Sequence, residues 1–335
     1  MNKIIYTFIS LLLTAIILIS CGESNATAKN DKLSIVATIF PEYDWVCEIL
    51  GDKVKNVEVT MLLDNGVDLH SYQPTINDIA KISDCDMFIY VGGESDGWVN
   101  DALKNAKNDK MKVINLLEVL GDSVKTEELI EGMQEEEHDH HHEEITEEKH
   151  EHEYYEEEKD EHVWLSLKNA KILCKVIADN LSEIDPENKD IYSANVSTYI
   201  EKLSVLDEEY KKMVNGSNRK IVLFGDRFPF RYLVDDYGID YYAAFVGCSA
   251  ETEASFETVA FLSKNTDELK LPCVLTIEGA NHKIAETVVA NTYSKNQKVF
   301  TMDSMQSTTS SDVKNGITYI FVMEKNLDIL REALK

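Results

Sequence analysis

Eight short, β-rich apolar runs fall into two groups of four, with one long helical stretch between the groups. Residues 33–37, 57–62, 87–91 and 112–115 make the first group; residues 221–224, 239–245, 273–277 and 298–302 make the second. Helical spacing separates them at 42–50, 75–83 and 97–106, and again at 230–236, 255–264 and 283–292. A strand that is apolar throughout and is followed by a helix belongs in a parallel sheet covered on both faces. The pattern therefore predicts an α/β protein of two parallel-sheet lobes. A length of 335 residues suits about two such domains.

The stretch between the groups reads as one helix over 185–216. Asp185-Pro186 suits a helix start and Gly216 a helix stop. Tyr192, Val196, Tyr199, Leu203, Leu206, Tyr210 and Met213 recur at alternating steps of four and three. The stripe fits a helix packed along both lobes or, as the alternative, a coiled-coil dimer. The first reading is preferred, and with it a monomer whose rigid linking helix restricts hinge motion.

Lys3 precedes an apolar stretch over residues 4–19, and Leu18-Ile19-Ser20-Cys21 ends it. A positive end, an apolar core and small residues at the break make a signal peptide over 1–20. Its end resembles a bacterial lipobox, which implies lipidation of Cys21, a tether over 21–31 and a membrane anchor on the extracytoplasmic side. The other cysteines, Cys47, Cys85, Cys174, Cys248 and Cys273, are odd in number and lie in no CxxC motif. No disulfide and no cysteine metal site is expected from them.

Charge is lopsided: 33 basic against 61 acidic residues leave a net −28. Half of that sits between Glu131 and Glu161, where sixteen acids face two lysines. Such a balance excludes a broad nucleic-acid surface and favours a cationic partner. The same segment holds six of the nine histidines, His138, His140, His141, His142, His150 and His152. Composition predicts a disordered loop over 121–160, because it has little to bury. Clustered imidazoles among carboxylates suit auxiliary capture of divalent metal.

Four motifs then fall in a telling order. Gly66-Val67-Asp68-Leu69-His70-Ser71-Tyr72-Gln73-Pro74 follows the second strand, and His162-Val163-Trp164-Leu165-Ser166 opens a helix. Phe230-Arg231-Tyr232 leads to Asp236-Tyr237-Gly238, and Asp303-Ser304 follows the last strand. Together they resemble the zinc and manganese solute-binding lipoproteins of bacterial ABC importers, from about residue 33 to the end of the chain. The resemblance implies two α/β lobes, 32–120 with 161–184 and 217–335, and a metal in the cleft between them. It implies delivery of that metal to the transmembrane subunits of a permease, with no catalysis. It places His70, His162 and Asp303 among the ligands. The position that such proteins give to a histidine or glutamate falls within Gly225-Asp226-Arg227-Phe228-Pro229, which has neither. Asp226 is the candidate there, although an ungapped match puts Arg227 at that point.

Two neutral imidazoles and two carboxylates balance a divalent charge, so a loaded site can be buried at little cost. Zn²⁺ is the expected cargo on account of the histidine-rich loop, with Mn²⁺ or Fe²⁺ as the alternative. Readings from other classes are a surface adhesin holding a structural metal and a secreted metallohydrolase. The absence of any HExxH helix counts against the hydrolase. His282 reads as an exposed helix-start residue without a metal role.

Overall fold

The computed structural model describes residues 32–134, 158–249, 252–279 and 281–335. The signal peptide, Cys21, and His138, His140, His141, His142, His150 and His152 lie outside the described residues. Residues Ser34–Lys335 form one compact unit, which holds both sheets.

All eight strands occur where the apolar runs predict them. The first sheet contains β1 (Ser34–Ala37), β2 (Glu58–Met61), β3 (Met87–Tyr90) and β4 (Lys112–Asn115), in the order β2-β1-β3-β4. The second contains β5 (Ile221–Phe228), β6 (Asp240–Val246), β7 (Cys273–Ile277) and β8 (Lys298–Met302), in the order β6-β5-β7-β8. Every pairing is parallel, and the two orders are the same. The central strands β3 and β7 are buried at every position, as strands covered on both faces must be. In each sheet the order reverses beside its first strand, which opens a crevice outside the carboxyl ends.

β5 runs four residues beyond its predicted end, because the chain bulges instead of stopping at Gly225-Asp226. Its pairing with β6 shifts register between Phe224 and Arg227. The bulge turns the Asp226 carboxylate onto β7, where Oδ2 accepts from the Thr276 hydroxyl at 2.5 Å and from the Ile277 amide at 3.3 Å.

The linking helix is Lys189–Gly216, 28 residues and so about 42 Å long at ~1.5 Å per residue. It starts later than Asp185-Pro186 suggested. Pro186–Asn188 is a separate 3-10 turn, and Asp185 Oδ2 accepts from the Asn188 side-chain Nδ2 at 2.7 Å and the Tyr192 hydroxyl at 2.5 Å. The aspartate holds that turn and does not cap helix N–H groups. The predicted stripe is buried from Tyr192 to Tyr210, with Val214 in place of Met213 as its last member. Helices Leu167–Ile184, Phe40–Leu50 and Tyr319–Ala333 pack on it, so the seam is filled by this chain's own helices. Asn195 donates to the Ile49 carbonyl at 2.9 Å and Tyr210 to the Met323 carbonyl at 2.6 Å, which ties the one helix to both lobes.

Glu42, in helix Phe40–Leu50, is fully buried. Its Oε2 accepts from the Thr38 amide at 2.8 Å, the Thr38 hydroxyl at 3.0 Å and the Ile39 amide at 3.2 Å. Burial, and next the charge of Asp96, push its carboxyl up from 4.5 to about 8. Asp44, Asp96 and Glu278 are each raised to about 7, burial again being the main cause. A carboxyl whose folded value lies above its unfolded value takes up a proton on folding between the two values, so its stabilisation is lost as pH rises. The metal-free protein is therefore expected to lose thermal stability between pH 5 and pH 8, and Glu42→Gln to flatten that decline. A melting temperature that rises over this range in the parent protein contradicts the assignment.

Candidate metal centre

The loop after β2 ends in a 3-10 turn, Leu69–Ser71, that presents His70. Asp68 caps the turn, its Oδ1 accepting from the His70 amide at 3.0 Å. The His70 Nδ1 lies 2.8 Å from Ser95 Oγ and 3.6 Å from Glu161 Oε2. Glu161 in turn accepts from the Ser95 amide at 2.9 Å and lies against Gly93, where an added Cβ would stand 2.3 Å from its Oε1. Gly93 has φ of +81°, so both the backbone and the contact call for glycine.

His162 precedes the 3-10 turn Val163–Leu165 and is fully buried. Asp160 Oδ1 accepts from its backbone amide at 2.9 Å and lies 3.0 Å from its Nδ1. A carboxylate on one ring nitrogen fixes the tautomer and sends the other nitrogen's lone pair forward, the usual arrangement behind a metal-bound imidazole. Here both rings have Nδ1 engaged, and their Nε2 atoms face each other at 3.2 Å.

The two rings sit in different electrostatic surroundings. His70 is held down to about 3, first by burial and next by the charge of His162, and so stays neutral. For His162 burial works against the charged form, but the Asp160 hydrogen bond and the charges of Asp160, Glu127 and Glu161 outweigh it, and its value is raised. An acidic environment on one ring and a neutral partner on the other suit a cation between them.

Among the described residues, two groups offer three ligand atoms within 4.8 Å of one another: His70, His162 and Cys248, and Glu127, Asp160 and His162. Cys248 follows β6 in the second lobe, so the first group bridges the lobes. Glu127 Oε1 accepts from the Cys248 amide at 3.1 Å. Residues 126 and 159 pair as an antiparallel bridge, with the Glu127 amide donating to the Glu158 carbonyl at 2.9 Å. The two described ends of the acidic segment thus meet beside His162, although the sequence placed all of 121–160 in a disordered loop. The Gln134 amide also donates to the Ala244 carbonyl at 2.9 Å, docking one end on β6.

A cavity of about 450 Å³ opens next to His70, lined by Asp68, Asp226, Arg227, Glu278 and His282 among others. Arg227, on β5, pairs with Asp68 across the lobes.

The family described as zinc-uptake complex component A, periplasmic, matches residues 35–333. The chain belongs to this family. Among its relatives, the zinc-binding lipoprotein AdcA of Streptococcus pneumoniae is 35% identical over 330 residues, 97% of this chain. The match covers 60% of that protein, so the chain spans less than two thirds of it. The high-affinity zinc uptake system protein ZnuA of Bacillus subtilis is 31% identical over 319 residues, 94% of this chain and 93% of that one. The Zn(II)-bound ZnuA-like domain of Streptococcus pneumoniae AdcA superposes with a TM-score of 0.68 at 29% identity, covering 90% of this chain and 99% of the domain. Members of the zinc-uptake component A family are transport components and not enzymes, which removes the metallohydrolase reading.

Within this family frame, the four residues named from sequence separate into two pairs. His70 and His162 meet. Asp226 reaches the cavity, but its Oδ2 is engaged by Thr276 and Ile277, and its Oδ1 accepts from the Arg227 amide at 3.0 Å. Asp303 follows β8, where its Oδ1 accepts from the Met305 amide at 2.8 Å. Its carboxyl is raised by burial, and its charge adds to the rise at Glu278. Asp160, Glu161 and Glu127 went unnoticed in the sequence, and Cys248 was named there among cysteines from which no metal site was expected. Only Asp160 and Glu161 carried a signal, as acids directly before His162. His282 is more than a helix-start residue: it adopts φ of +55° and lines the cavity, with Nδ1 3.2 Å from the Thr276 hydroxyl.

Proposed function

We propose that this chain is the extracytoplasmic solute-binding subunit of an ABC importer, capturing Zn²⁺ and handing it to the transmembrane subunits of a permease. It acts as a monomer anchored through a lipid on Cys21. Among the described residues no helix is long and apolar enough to cross a membrane, and the anchor is assigned to the N-terminal signal.

The observation that carries this reading is the 3.2 Å between the two Nε2 atoms. Zinc–nitrogen bonds of ~2.0 Å at the tetrahedral angle put two ligand nitrogens about 3.3 Å apart. The rings therefore already stand at the spacing of one edge of a zinc tetrahedron. Both nitrogens come from the first lobe, and the second lobe completes the site. Asp226 and Asp303 contribute negative charge on that side; Asp226 bonds the ion only if it gives up its present partners, whereas Asp303 has Oδ1 alone engaged, by the Met305 amide. Mn²⁺ and Fe²⁺ are the alternative cargo, since carboxylates suit harder ions.

Calorimetric titration of the full chain and of a variant lacking residues 135–157 tests the proposal. Both are expected to show one tight Zn²⁺ site, and the full chain to take up additional, weaker ions. A full chain without a tight Zn²⁺ site sinks the importer reading. Loss of that site in the deletion variant means that the histidine-rich segment supplies a primary ligand.

A further inference from the structure

We propose that Cys248 is the third zinc ligand, so that the ion is held by two imidazole nitrogens and one thiolate sulfur. The inference deepens the zinc-capture reading of the same site and rests on it. The sulfur comes from the second lobe and lies within 4.8 Å of the ligand nitrogens of both histidines. Zinc–sulfur and zinc–nitrogen bonds of ~2.3 and ~2.0 Å put sulfur and nitrogen about 3.5 Å apart in a tetrahedral site. The side chain therefore needs to close by little more than about 1 Å, within reach of a χ1 adjustment.

The surroundings prepare that approach. An added Cβ on Gly247 would stand 2.9 Å from the Phe228 carbonyl oxygen and 3.0 Å from His162 Cε1, so only glycine lets the turn pass against the imidazole. The Cys248 amide is fixed by Glu127, which sets where the side chain starts. The candidate donors on β5 are spoken for. Arg227 is a cation paired with Asp68 and has no lone pair to give. Asp226 is bonded to Thr276 and Ile277. The carboxylate or imidazole missing from β5 is thus replaced by a thiolate from the turn after β6. Binding exchanges the thiol proton for the ion, and that proton leaves to water.

The donor set has a consequence for selectivity. Zinc is borderline-soft and takes thiolate readily, whereas Mn²⁺ favours oxygen, so Cys248 biases the site toward zinc. Co²⁺ loaded into the full chain is the direct probe. The parent protein is expected to show a near-ultraviolet sulfur-to-cobalt charge-transfer band that Cys248→Ser lacks. That variant should also lose more than the ~10- to 100-fold in Zn²⁺ affinity that removal of a residue behind a ligand costs. Its Mn²⁺ affinity should fall by a smaller factor than its Zn²⁺ affinity, since less sulfur bonding is lost with a hard ion. Alkylation mapped by mass spectrometry needs no variant: Zn²⁺ should shield Cys248 and leave Cys47, the other partly exposed cysteine among the described residues, as reactive as before. Stoichiometric Co²⁺ binding with no charge-transfer band, or unchanged alkylation of Cys248, overturns the thiolate while the importer reading stands. Failure of the parent protein to bind Co²⁺ or Zn²⁺ at all overturns both.

Discussion

His70→Ala is expected to abolish tight zinc binding while leaving the protein folded. Structural zinc is worth roughly 10–16 kcal/mol in favourable cases, or about 3–4 kcal/mol for each of four ligands, so one lost imidazole costs on the order of 10²- to 10³-fold or more. The fold should tolerate the change. The His70 side chain is 8% exposed at the edge of the cavity, and its neighbour Ser95 can turn toward solvent. His162→Ala should lose the metal too, but at a structural cost. Its ring is fully buried, and its removal leaves Asp160, 1% exposed, without the Nδ1–H that now faces it. A buried carboxylate deprived of its partner costs several kcal/mol. Calorimetry together with thermal melting separates the two variants. Tight binding that survives in His70→Ala rules out the two-imidazole site. Equal melting temperatures for the two variants contradict the roles given to Asp160 and His162.

The architecture was legible for a definite physical reason. A strand buried on both faces must be apolar at every position, and Met87–Tyr90 and Cys273–Ile277 are, so periodicity and burial gave the same answer. The two ends that were misplaced have local causes. Asp185 looked like a cap but spends its carboxylate on Asn188 and Tyr192, which a dipeptide does not reveal. Gly225-Asp226 looked like the end of β5 but is a bulge, maintained by bonds to Thr276 and Ile277, fifty residues further along the chain.

His70 and His162 were readable because short motifs surround them. Cys248 was not, since cysteines were judged by their spacing to one another, whereas its position depends on β6 lying beside β5 and on the clearance at Gly247. Arg227 shows the converse. The resemblance, matched without gaps, puts it at a ligand position, yet its chemistry forbids coordination, and it serves as a tie to Asp68 across the lobes. Residue order locates a site in such a chain, and the long-range sheet geometry decides which donors fill it.

Trp164→Ala should be the most destabilising single change outside the metal ligands. The indole is fully buried and lies 5.3 Å, ring to ring, from His162. Its Nε1 donates to the Ser304 carbonyl at 2.8 Å, and its own carbonyl accepts from the Tyr319 hydroxyl at 2.6 Å, so one residue ties the His162 segment to the second lobe twice. Truncating a buried tryptophan costs about 3–5 kcal/mol, which in a chain of this size lowers the melting temperature by roughly 4–7 °C. Trp164→Phe keeps most of the apolar volume and removes the N–H, leaving the Ser304 carbonyl unpaired at a cost of about 1–3 kcal/mol. The phenylalanine variant should also bind zinc more weakly, because Ser304 adjoins Asp303 and the His162 ring rests on the indole. A melting temperature within about 1 °C of the parent for Trp164→Ala, less than about 1 kcal/mol on this scale, would mean that the indole does not join the lobes.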